Sequence, residues 1–351
     1  MTTRNEQIRL DAEAVLARRT EVLKPLENGH VFLTGGTGFL GRWLLELVAV
    51  LNAQHHFNTR VTVFSRSAPD FARRHRHLGA RKEFRFVEGD IRYLTELPRD
   101  TQFVLHAAAL TDRRLFASNP TAVGEVNGVG TIRLLSAAQL VEDLKQFVLV
   151  SSGLVYGPQA LDLPNVGENY ARGFACDNAN AVYAESKRFA ESMACSFASE
   201  AKLPLVILRP FAFVGPYQSL ELPWAVTDFI RDALARRPIK IMGDGSTVRS
   251  LMYASDFAFW ALAGLARGRS RQAYNVGSPE PIDLLSLARK ITQHFVPAPE
   301  IQTRVGQGGH DATRLVPSVE KAERELGVSV TVPLAEALRK TIEWHRASEN
   351  S

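Results

Sequence analysis

The stretch His30-Val31-Phe32-Leu33-Thr34-Gly35-Gly36-Thr37-Gly38-Phe39-Leu40-Gly41-Arg42-Trp43 decides the fold. A short apolar run leads into glycines at 35, 38 and 41, and an amphipathic run over Trp43–Leu51 follows. This order predicts a strand, a tight turn and a helix. One glycine permits a turn with positive φ, one lets backbone approach a pyrophosphate, and one lets the helix pack close to the strand. The start of the helix then offers free N–H groups and a positive dipole end to phosphates. The strand–glycine–helix context separates this reading from an ordinary glycine-rich turn.

Working outward, Arg60-Val61-Thr62-Val63-Phe64-Ser65-Arg66-Ser67 reads as the second strand of a βαβ unit. An acidic residue at its end would bind the 2′-hydroxyl of NAD. Ser65 and Arg66 stand there instead, and a guanidinium suits a 2′-phosphate, so the unit reads as NADP-binding, with NAD as the alternative. The other reading of Arg66 is a solvated surface charge. Arg73, Arg74, Arg76, Arg81 and Lys82 read as a solvated face rather than a nucleic-acid patch.

A third strand over Phe84–Ile91 ends at Asp90, whose carboxylate suits either an adenine amino group or a strand-end cap. A fourth, Phe103–Ala109, ends in alanines that let backbone run beside a cofactor; His106 reads as a packed strand residue. Residues 119–140 read as one long helix carrying Asn127, and Phe147–Ser152 as a fifth strand. Alternating strands and helices predict a doubly wound parallel sheet whose ligands bind beyond the carboxyl ends of the strands. The polar motifs fall at such ends.

The whole chain has 351 residues, 45% of them hydrophobic, and a net charge of +5 spread along its length. That is enough for one large or two modest domains and suits an anionic substrate. Its two cysteines, Cys176 and Cys195, form no disulfide framework and no zinc spacing, which fits a reducing cytoplasm. Residues 1–28 read as a single amphipathic helical extension without the apolar core of a secretion signal, packed on the body or on a partner. No apolar stretch is long enough to span a bilayer.

The chemistry lies in two later motifs. Ser151-Ser152-Gly153-Leu154-Val155-Tyr156-Gly157 follows the fifth strand, and Tyr183-Ala184-Glu185-Ser186-Lys187 opens a helix running to about Ala198. Tyrosine and lysine four apart share a helix face. The lysine ammonium is expected to lower the phenol pKa and to bind nicotinamide-ribose hydroxyls, making Tyr183 a base near neutral pH. Ser152 would hydrogen-bond the substrate hydroxyl.

With these motifs in hand, the chain over about residues 30–345 resembles the extended short-chain dehydrogenase/reductases, a group of nucleotide-sugar epimerases, dehydratases, decarboxylases and reductases. Further support comes from Leu208–Pro216, from Gly243-Asp244-Gly245-Ser246-Thr247-Val248-Arg249, and from Tyr274–Ser278. The resemblance implies a Rossmann-type α/β domain over 29–215. It also implies a smaller C-terminal α/β substrate-binding domain, mainly 216–345 with a contribution from 168–180. Ser152, Tyr183 and Lys187 are implied as the catalytic trio. Around the cofactor it implies Gly35, Thr37, Gly38, Phe39, Leu40, Gly41, Ser65, Arg66, Asp90, Ile91, Ala107, Ala108, Ala109, Asn127, Tyr183, Lys187 and Pro210. Toward the substrate it implies Thr111, Ser152, Gly153, Arg249 and Arg314. Arg249 matches the arginine that binds the nucleotide diphosphate, the other reading being a structural ion pair. No metal is implied. Members usually dimerise through the helices at 119–140 and after Tyr183, where Phe189, Met193 and Phe197 fit a homodimer face or a monomer core.

Three departures bear on the reaction. Ala212 and Asp228 stand where asparagines are frequent, which removes one polar contact and places an anion near the substrate phosphates. Gly153 and Leu154 stand where 4,6-dehydratases resembling this chain carry Asp-Glu and decarboxylases carry a glutamate at the second position. Glycine and leucine transfer no protons, which argues against both reactions. The expected function is a nucleotide-sugar epimerase acting through a 4-keto intermediate. The alternatives are an NADPH-dependent 4-keto-sugar reductase, then a 4,6-dehydratase, and from another class a non-catalytic NADP-sensing or scaffold protein. A sensor would be expected to have lost part of the trio, and all three residues are present.

Overall fold

The structure is a computed structural model that describes residues 3–17, 19–175, 181–304 and 313–349. The expected strands form in order: β1 His30–Thr34, β2 Arg60–Ser65, β3 Phe84–Glu88, β4 Phe103–His106, β5 Gln146–Val150 and β6 Leu205–Pro210. After β7 (Ala212–Val214), β8 (Ile239–Met242), β9 (Val248–Arg249) and β10 (Leu251–Tyr253), the chain adds β11 (Gln272–Val276) beside β6. The large sheet has seven strands in the order β11-β6-β5-β4-β1-β2-β3, all parallel. The strand order reverses between β1 and β4, so a crevice opens at their carboxyl ends, where such sheets bind ligands.

β1 and β5 are buried at every residue, as a sheet covered on both faces requires. The helix Phe39–His55 is also buried throughout Trp43–Leu51, so the amphipathic reading of that run is corrected. The reason is a second covering layer. The Arg4–Leu16 helix and the long apolar Ala254–Arg267 helix both pack against it, leaving it no solvent face. Residues 1–28 are not a single helix. Arg4–Leu16 is α-helical with a Thr3/Glu6 capping box, and Thr20–Leu26 is a 3-10 segment. This extension packs on the body of its own chain: buried Asp11 accepts from Tyr253 Oη at 2.6 Å and pairs with Lys340 of the C-terminal helix.

The stretch read as one helix over 119–140 runs from Pro120 to Ala138 and widens into a π-turn at Glu125–Val129, centred on Asn127. Beyond β6 lies a smaller layer. There β12 (Ile282–Asp283) and β14 (Arg314–Leu315) flank β9, β13 (Ile301–Arg304) pairs with β8, and β10 pairs with β7. Within 216–345 the chain thus returns to the large sheet through β11. Among the described residues, no helix is long and apolar enough to cross a membrane.

Candidate active site

The turn after β1 is built by close backbone approach. Gly35 sits at φ 75°, and a Cβ there would lie 2.6 Å from the Ala107 carbonyl carbon. A Cβ on Gly41 would lie 2.2 Å from Gly35 O. Neither position accepts a side chain. Gly38, by contrast, is exposed and has only Gly35 O nearby, at 3.3 Å. It caps the Phe39–His55 helix without any side-chain hydrogen bond, so the first N–H groups of that helix have no side-chain acceptor at its cap.

At the end of β2, Ser65 Oγ lies 3.0 Å from Thr37 Oγ1, and Ser67 Oγ lies 3.3 Å from the same atom. Arg66 is exposed and makes no ion pair with a described residue. Asp90 takes the capping role. It accepts from the Arg92 backbone at 3.0 Å, and both its oxygens are held by the Arg92 guanidinium, which keeps the carboxyl below its ordinary range. Ile91 is buried against Gly130. His106 bridges Thr34 Oγ1 at 2.7 Å and Thr131 Oγ1 at 2.9 Å, and burial pushes its pKa down to about 3, so it is a neutral packing residue. Thr34 Oγ1 also accepts from Ala108 N at 3.2 Å, fixing the small-residue run that ends at Ala109. Pro210 ends β6 partly buried.

Ser152 leaves β5 in extended conformation, and its Oγ caps the turn Gly153–Tyr156 by accepting from Leu154 N at 3.1 Å. Tyr183 lies buried at the start of the helix Ala181–Glu200 and hydrogen-bonds Ser152. Its ring stacks on Phe116 with centroids 5.0 Å apart and planes 11° apart. The expected lowering of its pKa is corrected. Burial dominates and pushes the phenol up to about 12, with the Ser152 hydrogen bond acting the other way. Lys187 is also buried, and its ammonium donates to Val150 O at 2.9 Å. Burial lowers its pKa to about 8, while the Glu191 carboxylate one turn on raises it. The π-turn brings Asn127 beneath this helix: Nδ2 donates to Ser186 Oγ at 3.0 Å, and Oδ1 is buried without a partner among the described residues.

Sequence reasoning missed a polar network behind Lys187. Glu191 holds Arg209 through two bonds, 3.0 Å to Nε and 2.7 Å to Nη2. Arg209 Nη1 donates to Tyr156 Oη and to Glu168 O, and Tyr156 Oη donates to Asn275 Oδ1 at 2.6 Å. The four-residue spacing of Lys187 and Glu191 was the available signal. Phe116 gave none.

On the opposite wall, a Cβ on Gly153 would meet the Phe211 ring at 3.0 Å, and Leu154 packs beside Tyr183 and Phe116. Neither position after Ser152 carries a proton-transfer group. Arg249 makes no ion pair with a described residue. It donates to Val248 O, Thr313 O and Thr313 Oγ1, and burial with the nearby Arg113 charge lowers its pKa to about 10. Arg314, on the neighbouring strand, donates to Pro164 O at 2.8 Å, and Thr111 is exposed. Asp228 pairs with Arg231 on its own helix at 2.8 Å, so its charge is met locally. Phe189 is exposed, whereas Met193 and Phe197 pack against the core.

The model of the NAD dependent epimerase/dehydratase family matches residues 31–277. The chain belongs to that family. Similar proteins include UDP-glucuronic acid decarboxylase 1 of Xenopus tropicalis, 26% identical over 324 residues, covering 92% of this chain and 74% of that one. The dTDP-D-glucose 4,6-dehydratase of Bos taurus is 27% identical over 346 residues, covering 94% and 93%. Among solved structures, the Bordetella bronchiseptica enzyme WbmF in complex with NADH has a TM-score of 0.76 at 25% identity, covering 93% and 94%. UDP-glucuronic acid 4-epimerase from Bacillus cereus shares the fold, with a TM-score of 0.76 at 22% identity, covering 92% and 100%.

Family membership implies a nicotinamide dinucleotide, and the residues fit one. At Gly35 and Gly41 the turn packs against its own main chain too closely for any Cβ, which fixes the loop in a shape no side chain obstructs. The helix start at exposed Gly38 has no side-chain cap to occupy its first N–H groups, and Asn127 Oδ1 in the π-turn is buried without a partner among the described residues.

Proposed function

We propose that this protein is a nucleotide-sugar epimerase that oxidises and re-reduces the sugar at C4, and that it uses NADP. The observation that carries the reading is the pairing of an intact Ser152–Tyr183–Lys187 trio with Gly153 and Leu154 beside it. Relatives include a decarboxylase and a 4,6-dehydratase, but elimination of water needs an acid and a base next to the trio. Here that place is filled by backbone, a leucine and the Phe211 ring.

The cofactor, when bound, supplies a hydride acceptor and donor; Gly35, Thr37, Gly38, Phe39, Leu40 and Gly41 would hold its diphosphate end. Ser65 and Arg66 would hold the 2′-phosphate, because Arg66 is exposed at the end of β2 and makes no direct ion pair with a described residue. Asp90, Ile91, Ala107–Ala109, Asn127 and Pro210 would line the rest of its path.

In the reaction, Tyr183 Oη takes the proton of the C4 hydroxyl while Ser152 hydrogen-bonds the same oxygen. The proton returns from Tyr183 when the keto group is reduced on its opposite face. For this, the phenol must fall from about 12 toward neutrality. Ser152 already pulls in that direction, and the Lys187 ammonium, with a pKa of about 8, remains mostly charged at pH 7. Arg249, with Arg314 beyond it, would take the substrate diphosphate. Thr111 and Gly153 would flank the sugar. We propose a homodimer through the Pro120–Ala138 and Ala181–Glu200 helices, where Val129 and Phe189 are exposed.

The NADP reading also favours a second function, a 4-keto-sugar reductase running half of this cycle. Mass spectrometry of the cofactor released from fresh protein, with a panel of nucleotide sugars and their 4-keto forms, tests both. Stoichiometric cofactor and a product of unchanged mass support the epimerase. Empty protein that consumes NADPH only with a keto sugar supports the reductase. Loss of one water would refute the argument from Gly153 and Leu154.

A further inference from the structure

The turn that follows Ser152 is anchored by side chains at its far end. Its entry is fixed by the sheet, where Ser151 N donates to Leu208 O on β6 at 2.7 Å. Its exit is hooked twice from the helix Ala181–Glu200, which carries Tyr183 and Lys187. Arg188, next to Lys187, donates through Nη1 to Val155 O at 2.9 Å. Glu191, one turn beyond Lys187, takes the fork of Arg209 from β6, and Arg209 Nη1 donates onward to Tyr156 Oη at 3.1 Å. Both hooks also reach the segment that leads from the turn to the helix: Arg188 donates to Arg172 O at 2.6 Å, and Arg209 to Glu168 O at 3.0 Å. Tyr156 and Asn275, joined at 2.6 Å, are fully buried, and Asn275 N donates to Glu168 Oε1 at 2.9 Å. Arg209 thus spends four hydrogen bonds on three separate pieces of chain. A buried ion pair adds little net stability over well-packed apolar residues, so what this one supplies is geometry.

We propose that Arg188 and the Glu191–Arg209–Tyr156 relay are positioning groups that set Ser152 against Tyr183 and Lys187. This rests on the reading of those three as the reacting groups, and is the same for an epimerase and a reductase. A turn and a helix share no backbone ladder. The Ser152–Tyr183 hydrogen bond is therefore only as well placed as the side chains that tie the two elements together. Misplacement by about 1 Å costs on the order of 10²-fold in rate. The relay touches neither substrate nor cofactor, so its loss should appear in kcat and spare binding.

The test uses the full chain and its Arg209→Lys, Glu191→Gln, Tyr156→Phe and Arg188→Met variants, with Tyr183→Phe as control. Turnover of UDP-glucose, UDP-glucuronic acid and dTDP-glucose is measured per cofactor-binding site, counted by fluorescence titration of NADPH and NADH. Misfolded protein then drops out of kcat. We expect Arg209→Lys to lower kcat about tenfold to a hundredfold, and Tyr156→Phe about tenfold, with KM and cofactor affinity within about threefold of wild type. Combining these two should lose less than the product of the single losses, because both break one relay. Where Arg209→Lys fails to fold, Tyr156→Phe, which leaves the ion pair intact, carries the same test. A readout that needs no sugar is amide exchange at Leu154, Val155 and Gly157, whose N–H groups close the turn. It should quicken about tenfold in Tyr156→Phe and Arg188→Met and stay unchanged in β5. Either wild-type kcat or wild-type exchange in the folded variants overturns the proposal, and so does a loss confined to KM or to cofactor affinity. If the variants are silent while Tyr183→Phe abolishes turnover, the trio reading stands without the hooks. If Tyr183→Phe turns over like the wild type, the trio reading itself fails. If the wild type turns over none of the three sugars, the exchange measurement alone decides the hooks.

Discussion

The turn at Gly35–Gly41 and the wall at Val248–Arg249 are both read here as handling phosphate, and they are made of different materials. The first is backbone: two glycines at which a Cβ would lie 2.6 and 2.2 Å from neighbouring main-chain atoms, leading into a helix start without a side-chain cap. The second is side chain: the Arg249 guanidinium on one strand, steadied by Thr313 from another part of the chain. A backbone site tolerates no change of residue at its contact points but is indifferent to most residues around it. A side-chain site can be retuned one residue at a time. This difference explains how one family holds a constant cofactor end while its members act on different sugars.

The largest expected effect sits between the two regions. Tyr183→Phe should lower kcat by about 10²- to 10⁴-fold while cofactor binding persists, read by steady-state kinetics and by fluorescence titration of the cofactor. A variant retaining wild-type turnover would remove Tyr183 from the chemistry. Next, Gly35→Ala should cost about 3 kcal/mol or more in denaturant unfolding, because strain at positive φ adds to a main-chain clash. Gly38→Ala, whose Cβ would meet only Gly35 O at 3.3 Å and whose φ is negative, should cost clearly less than Gly35→Ala. Equal costs at the two positions would break the backbone half of the comparison.

The side-chain half is tested by Arg249→Ala, which should raise KM about tenfold to a hundredfold with little loss of stability. Arg249→Lys should not restore the wild-type value, since a lysine lacks the planar fork. A collapse in stability would instead make Arg249 a structural residue.

A pH measurement sharpens the trio. The pKa of Lys187 is lowered to about 8 in the folded chain from an ordinary 10.5. Its buried charge therefore costs stability below about pH 8, and that cost is relieved as pH rises, because the unfolded chain keeps the proton that the folded chain has lost. Between pH 8 and 9.5 the wild type should gain at most about 2 kcal/mol relative to Lys187→Met in urea unfolding. Parallel pH curves would contradict the burial argument. The smallest effect is at the cofactor's outer end. Arg66→Ala should weaken NADP about tenfold and leave NAD almost unchanged.

The same contrast governs what could be read from the sequence. Gly35, Gly38 and Gly41, the alanines after His106, and the Tyr183–Lys187 pair announce themselves, because their roles depend on spacing along one element. Gly35 and Gly38 follow the end of β1 and the alanines follow β4, while Gly41 lies in the next helix and the Tyr183–Lys187 pair reaches the end of β5 from the helix Ala181–Glu200. The burial of Trp43–Leu51 was not legible, since it depends on the N-terminal and Ala254–Arg267 helices packing from distant parts of the chain. Nor was the phenol pKa: spacing placed Lys187 near Tyr183, but the balance between burial and charge is a property of the assembled interior. Asp90 was legible as a strand-end carboxylate, and only the position of Arg92 decides that it is already paired.

The central claim is a closed redox cycle at a trio that has no acid–base pair beside it. The most direct measurement is mass spectrometry of the reaction of the freshly purified protein, in deuterated water, with a panel of nucleotide sugars. The account predicts a new species that chromatography separates from the substrate, with unchanged mass, no deuterium on carbon, and cofactor recovered in its original redox state. Loss of water or carbon dioxide, or deuterium fixed at a ring or side-chain carbon, would contradict it.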